Sequence, residues 1–65
     1  MGQREIQIWL NKNPGWHSSE DIQIGLLDED VDVCIDSVRK CCQALAKWGE
    51  AERGMSGRAF IWRGL

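Results

Sequence analysis

Residues 34–49, CIDSVRKCCQALAKWG, and the run that follows, EAERGMSGRAFIWR at 50–63, decide how this chain is read. At 100° per residue, Cys34, Cys41, Cys42, Leu45 and Trp48 fall within about 80° of Val38, which makes one apolar stripe along a helix placed at 33–48. Asp36, Lys40, Gln43 and Lys47 cluster on the opposite side, with Arg39 at its margin. Gly49 is a natural helix stop, because a left-handed residue closes the last turn without Cβ strain. Beyond it, two short strands at 50–53 and 58–63 flank the glycine-bracketed turn Gly54-Met55-Ser56-Gly57. Alternation puts Phe60 and Trp62 on one face of this ribbon and Ala59 and Ile61 on the other. An isolated hairpin is marginal in water, so part of it must lie against the helices.

Upstream of this unit the chain predicts two shorter helices. Ile6, Trp9, Leu10 and Asn13 share a helical stripe over 3–13, and Ile8 falls at its edge. Pro14 disfavours helix in the residue before it and Gly15 supplies the turn. Trp16 then stands alone before a polar run, which suits an extended residue or short strand anchoring the loop in the core. Ser18-Ser19-Glu20-Asp21 has the chemistry of a helix start: Ser18 caps, and the acid three residues on reaches back to the cap's N–H. Ile22 and Leu26 give this second helix, 19–26, its buried stripe. Ile24 lies off that stripe, partly exposed.

The acidic passage Leu27-Asp28-Glu29-Asp30-Val31-Asp32 begins like a calcium loop and does not complete one. Its sixth position is Val33, where the turn needs glycine, and its twelfth is Arg39, where a bidentate glutamate is needed. It reads instead as a solvated turn whose acids favour the N-terminus of the third helix through the helix dipole.

Sixty-five residues, 43% of them apolar, suffice for one domain, taken as 1–65, and not for an enclosed substrate cavity. Stability of such a domain is expected at roughly 3 to 10 kcal/mol. Neither a bilayer-length apolar run nor a signal-peptide pattern is present, so the expectation is a soluble protein of the cytoplasm, or of the nucleoid or nucleus, without a membrane partner. Three cysteines, 34, 41 and 42, cannot all pair within one chain, and they point to a reducing compartment. Cys34 and Cys41 lie two helical turns and about 10 Å apart, too far to bridge. The thiols are read as buried in the helix core, with a reactive thiol or an intermolecular disulfide as the alternative. No C-x-x-C pair exists and His17 is remote, so no metal is expected.

Net charge is −2, unevenly divided. Residues 1–38 hold two basic and eight acidic side chains, a net of −6, and residues 39–65 hold six basic and two acidic ones, a net of +4. Such polarity aims one surface at an anion and turns the other away. The basic half is the half containing the long helix and the hairpin.

The order helix, turn with a lone apolar residue, capped short helix, turn, longer helix, Gly, hairpin resembles a winged helix-turn-helix domain over roughly residues 3–63. Val38, Cys42, Leu45 and Gly49 stand at the spacing of the VxxxLxxLxxxG tail of such recognition helices, and residues 51–63 look like the wing. The resemblance implies an α+β fold of three helices and a two-stranded antiparallel wing. It also implies binding of double-stranded DNA in transcriptional or mobile-element control, with the third helix in the major groove and the wing on the backbone. Residue by residue, Arg39, Lys40 and Gln43 are expected toward base edges, with Lys40 and Gln43 foremost, and Lys47, Arg53 and Arg58 toward phosphates. Ser37 and Ser56 are expected on the same nucleic-acid-binding surface. Asp36 lies amid this face and repels phosphate, partly offset by Lys40 at i+4.

A second reading is a winged helix used as a protein-interaction module through its acidic half or an exposed aromatic edge. Trp9, Trp16 and Trp48 are expected in the core; Trp62, near the C-terminus, is read as core first and as an interface residue second, being the one of the four most apt to reach the surface, where it could serve a homodimer or other protein partner. Catalysis is not expected: the two serines beside His17 are better used as helix caps, and no oxyanion hole is indicated. No cofactor and no small-molecule substrate are implied.

Overall fold

The computed structural model describes residues 3–65; residues 1 and 2, inside the expected domain span, lie outside the described residues. Three helices, α1 (Gln3–Lys12), α2 (Ser19–Asp28) and α3 (Ile35–Lys47), pack with a sheet of β1 (His17–Ser18), β2 (Ala51–Ser56) and β3 (Ala59–Gly64). The sheet order is β1-β3-β2, antiparallel throughout. The expected two-stranded wing therefore gains a third, two-residue strand, in which His17 pairs with Trp62 and Ser18 with Ile61.

The helix ends follow from local chemistry. At the start of α2 the Asp21 N–H donates to Ser18 Oγ at 3.1 Å and the Ser18 N–H faces Asp21 Oδ2 at 3.5 Å, the expected capping box. At the end of α3, Gly49 has φ of 77° and its N–H donates to the Ala46 carbonyl, while the Glu50 N–H donates to that of Leu45. This is a Schellman closure, and the helix stops where Gly49 was expected to stop it. α2 closes the same way two residues later than expected, with Asp30 left-handed at φ 61° and N–H bonds from Asp30 to Leu27 and from Val31 to Leu26. Asp28 is thus the last residue of α2, so Asp28, Glu29 and Asp30 sit at a helix C-terminus, while Asp30 and Asp32 share a hollow with Cys34 and Ser37 at the start of α3. Only Asp36 lies in the first turn of α3.

The core joins Ile6, Trp9 and Leu10 of α1, Ile22 and Leu26 of α2, and Val38, Cys42 and Leu45 of α3 to Ala51 and Trp62 of the sheet. Trp62 is the largest of the fully buried side chains, 1% exposed, because β1 flanks β3 and places Trp62 mid-sheet beneath the helices; of its two readings, the core one holds. Three expectations of burial, for Trp48, Cys34 and Trp16, are overturned. Trp48 is 71% exposed: it is the C-cap of α3, where the chain leaves the helix and the stripe no longer faces the core. Cys34 is likewise exposed, because α3 begins only after it.

Trp16 is anchored on the outer face of the sheet, 42% exposed, and not in the core. Its ring lies against Gly54, and the Arg63 guanidinium carbon is 4.8 Å from its centroid. The hairpin turn also shifts. Ser56 pairs with Ala59, which leaves Gly57 and Arg58 as a two-residue turn, with Gly57 at φ 63°. A positive φ at the first turn residue suits the right-handed twist of the flanking strands. β2 consequently runs through Gly54 to Ser56, and Arg58, expected in a strand, occupies the tip.

Candidate nucleic-acid interface

The exposed side of α3 and the inner face of the wing enclose two adjoining hollows that share Gln43. One, of about 370 Å³, is lined by Gln43 and Arg39 of α3, Ser19 and Glu20 of α2, and Arg58 to Phe60 of the wing, with Trp62 at its floor. The other, of about 450 Å³, lies between Gln43, Ala46 and Lys47 of α3 and Ala51 to Arg53 of β2. The small side chain of Ala46 keeps this second hollow open. Five of the eight candidate residues, Arg39, Gln43, Lys47, Arg53 and Arg58, are thereby brought to one concave surface from two elements far apart in sequence.

The other three are placed differently. Lys40 is exposed on α3 and lines neither hollow. Ser56 ends β2, exposed beside the turn. Ser37 stands apart in a third hollow with Glu5 and residues 30–34. Its Oγ lies 3.2 Å from Cys34 Sγ, and this hydrogen bond holds the Cys34 thiol below its ordinary pKa by favouring the thiolate.

Charges on the surface are not equally available. Arg39 lies 3.7 Å from a carboxylate oxygen of Glu20 and 3.8 Å from one of Asp36, bridging α2 and α3. Asp36 is therefore paired at i+3 with Arg39, not at i+4 with Lys40 as expected. Among the described residues, Lys40, Lys47, Arg53 and Arg58 have no carboxylate within salt-bridge reach. Arg53 rests over the Phe60 ring, 5.2 Å from its centroid, an arrangement that steers the guanidinium without neutralising it. The sequence reading missed Phe60 and Glu20 as parts of this surface. Phe60 carried a signal, since alternation had set it on the same face as Trp62; Glu20 carried none, because only the packing of α2 on α3 brings it there.

Among the described residues no cluster of three or more His, Cys, Asp or Glu side chains is arranged to hold a metal ion, and no helix is long and apolar enough to cross a membrane.

No protein-family model matches the chain, and no curated protein matches it significantly. Among solved structures, one of HOP2, from work on its DNA recognition and protein interaction domains, superposes with a TM-score of 0.86 at 21% identity, covering 97% of each chain. At that identity the likeness is one of fold, and over nearly the whole of both chains it agrees with the architecture built up above from helix caps, sheet order and core. The chain has the winged-helix fold.

Proposed function

We propose that this chain is a non-catalytic DNA-binding domain, a single module spanning 1–65, that docks α3 in the major groove of duplex DNA and lays the wing along the backbone. The observation that carries the reading is the convergence of Gln43, Lys47, Arg53 and Arg58 on one concave surface, with the three cations free of carboxylate partners among the described residues. Lys47, Arg53 and Arg58 neutralise phosphates, while Gln43, at the junction of the two hollows, and Lys40 on the same exposed side donate to base edges. The likeness to HOP2, a protein studied for DNA recognition, supports this reading, as does the resemblance of the α3 tail to recognition helices. In this reading the domain serves a regulator of transcription or of a mobile element.

So few phosphate contacts give weak, salt-sensitive binding. Fluorescence anisotropy with a mixed-sequence duplex should show binding at low salt that falls steeply as salt rises. Lys47→Ala with Arg58→Ala should weaken it at every sequence tried. Unchanged affinity in the double variant would refute this placement of the DNA.

A second reading is favoured by Trp48, an indole left 71% exposed at the end of α3, two residues before Glu50, whose carbonyl accepts from the N–H of the similarly exposed Leu65. Here the chain docks a protein, or a second copy of itself, through Trp48. Trp62 is too deeply buried for that role. Sedimentation that depends on concentration, and ceases to do so in Trp48→Ala, is the outcome expected of self-association.

A further inference from the structure

The inner face of the wing is apolar where a surface built only for phosphate would not be. Cross-strand partners share a face, so Ala51 with Gly64, Arg53 with Trp62 and Met55 with Phe60 all belong to the side turned toward α3. At its base this face enters the core through Ala51 and Trp62. Toward the tip it runs past the helices, leaving Met55 59% and Phe60 42% exposed. Phe60 is nonetheless held in place: the Trp62 ring lies 6.0 Å away at 40°, and Arg53 covers part of it. The result is a fixed phenyl ring opening into a hollow whose rim carries Gln43, Arg39, Arg58 and Glu20.

That rim does not suit a phosphate alone. Phosphate oxygens only accept hydrogen bonds, whereas the Gln43 amide both donates and accepts and the Glu20 carboxylate only accepts and repels anions. A mixed set of donors and acceptors beside a ring face is the complement of a nucleobase, which has a polar edge and a π-face. The volume, about 370 Å³, lies within the roughly 300–1,000 Å³ of sites for small ligands. In continuous duplex, both faces of each base are covered by its neighbours, so only an unpaired base can offer its face to Phe60.

We propose that the hollow between α3 and the wing takes up an unpaired nucleobase stacked on Phe60, so that the chain prefers DNA carrying an unpaired base beside duplex over continuous duplex. This rests on the DNA-binding reading above. Arg58, at the tip, neutralises the phosphate flanking the extruded nucleotide, and Gln43 and Glu20 meet the base edge.

The test uses the full chain and two oligonucleotide duplexes of the same sequence, one continuous and one with a single bulged 2-aminopurine. The wild-type chain should bind the bulged duplex about tenfold more tightly, the order expected of one base-aromatic stack, and quench its 2-aminopurine emission. Phe60→Leu, which keeps apolar bulk and removes the π-face, should lose the quench and bind both duplexes alike. Phe60→Trp should keep both effects. Equal wild-type affinity for the two duplexes with unchanged emission would overturn the inference and leave duplex binding standing. Failure to bind either duplex at low salt would overturn both.

Discussion

The indole N–H of Trp62 donates to the hydroxyl of Ser19 at 3.2 Å, joining the middle of the sheet to the first residue of α2 across 43 positions of sequence. Both partners are buried. Ser18 and Ser19 therefore have distinct roles although they are adjacent: Ser18 caps α2, and Ser19 satisfies the largest side chain of the core. Ser19→Ala leaves a buried donor without a partner and should cost about 1–3 kcal/mol. Ser18→Ala loses a half-buried cap worth typically ~1 kcal/mol. Urea denaturation of the two variants checks the order; a Ser19→Ala variant as stable as wild type would show that water satisfies the indole.

Two glycines face tryptophan rings, with consequences of different size expected. A Cβ on Gly25 would lie 2.3 Å from Trp9 Cζ2, and one on Gly54 would lie 2.9 Å from Trp16 Cζ3. Trp9 is buried between α1 and α2 and cannot yield, whereas Trp16 is half-exposed outside the sheet and can swing outward. Gly25→Ala should destabilise by about 1–3 kcal/mol or more, the usual cost of overpacking. Gly54→Ala should have a much smaller effect on thermal stability and should change chiefly the emission of Trp16 as it moves into solvent.

Asp30 is the non-glycine residue with positive φ among the described residues, at 61°, and it closes α2 beside Asp28 and Glu29. Left-handed backbone is costly for a residue with a Cβ, and carboxylates are unfavourable at a helix C-terminus. Asp30→Gly relieves both and should raise stability by about 0.5–1 kcal/mol, offset in part by the freer unfolded chain. An unchanged or lowered melting temperature would show that the Asp30 side chain contributes more than its backbone geometry costs.

Legibility from sequence followed locality. The capping box at Ser18 and Asp21 and the closure at Gly49 depend on contacts within a few residues, and both could be read directly. The stripe Val38, Cys42, Leu45 was equally visible, because a helix has one period. What failed was the outcome of long-range packing at element ends. Cys34 and Trp48 share the stripe's phase but stand one step beyond either end of α3, where no core remains to cover them. Trp62 was the tryptophan whose cover was hardest to read and became central when β1 paired with β3: a short strand was legible beside Trp16, but its two residues gave no sign of which strand they would join. The same limit governed the candidate interface. Arg39, Gln43 and Lys47 were legible as one helix face, while Glu20 and Phe60 reach that face only through tertiary contacts.

The three thiols should separate by reactivity and pH. Cys34 is exposed and its thiolate is favoured by the Ser37 hydroxyl, so it should alkylate first at mildly alkaline pH. Cys41 is half-buried and its pKa is raised by burial. Cys42 is buried, which pushes it from an ordinary 9.0 to about 12. Because the folded value of Cys42 is the higher, its contribution to stability is complete below pH 9 and is lost as pH rises toward about 12. The melting temperature should fall across that interval less steeply in Cys42→Ala, although that variant starts lower. Mass spectrometry of alkylated native protein should find Cys42 unmodified; early labelling there would contradict its burial.

Asp36 sets stability against binding. It stands in the first turn of α3, where a carboxylate favours the helix dipole, typically by about 0.3–1 kcal/mol. It also lies on the face assigned to DNA and draws Arg39 into an ion pair at 3.8 Å, shared with Glu20 at 3.7 Å. These pairs are exposed, so they hold Arg39 only weakly, by about 0–1 kcal/mol each. Asp36→Asn removes a charge that repels phosphate and loosens one restraint on Arg39. Its two readouts should move in opposite directions: a small loss of thermal stability, and several-fold tighter binding to duplex at low salt. If Arg39 then reaches a phosphate, the plot of log K against log salt should steepen by about 0.9, the increment for one further contact. Tighter binding without the steeper slope would mean that repulsion alone had been relieved. Weaker binding, confined to duplexes with cytosine at one position, would instead make Asp36 a base reader accepting from cytosine N4.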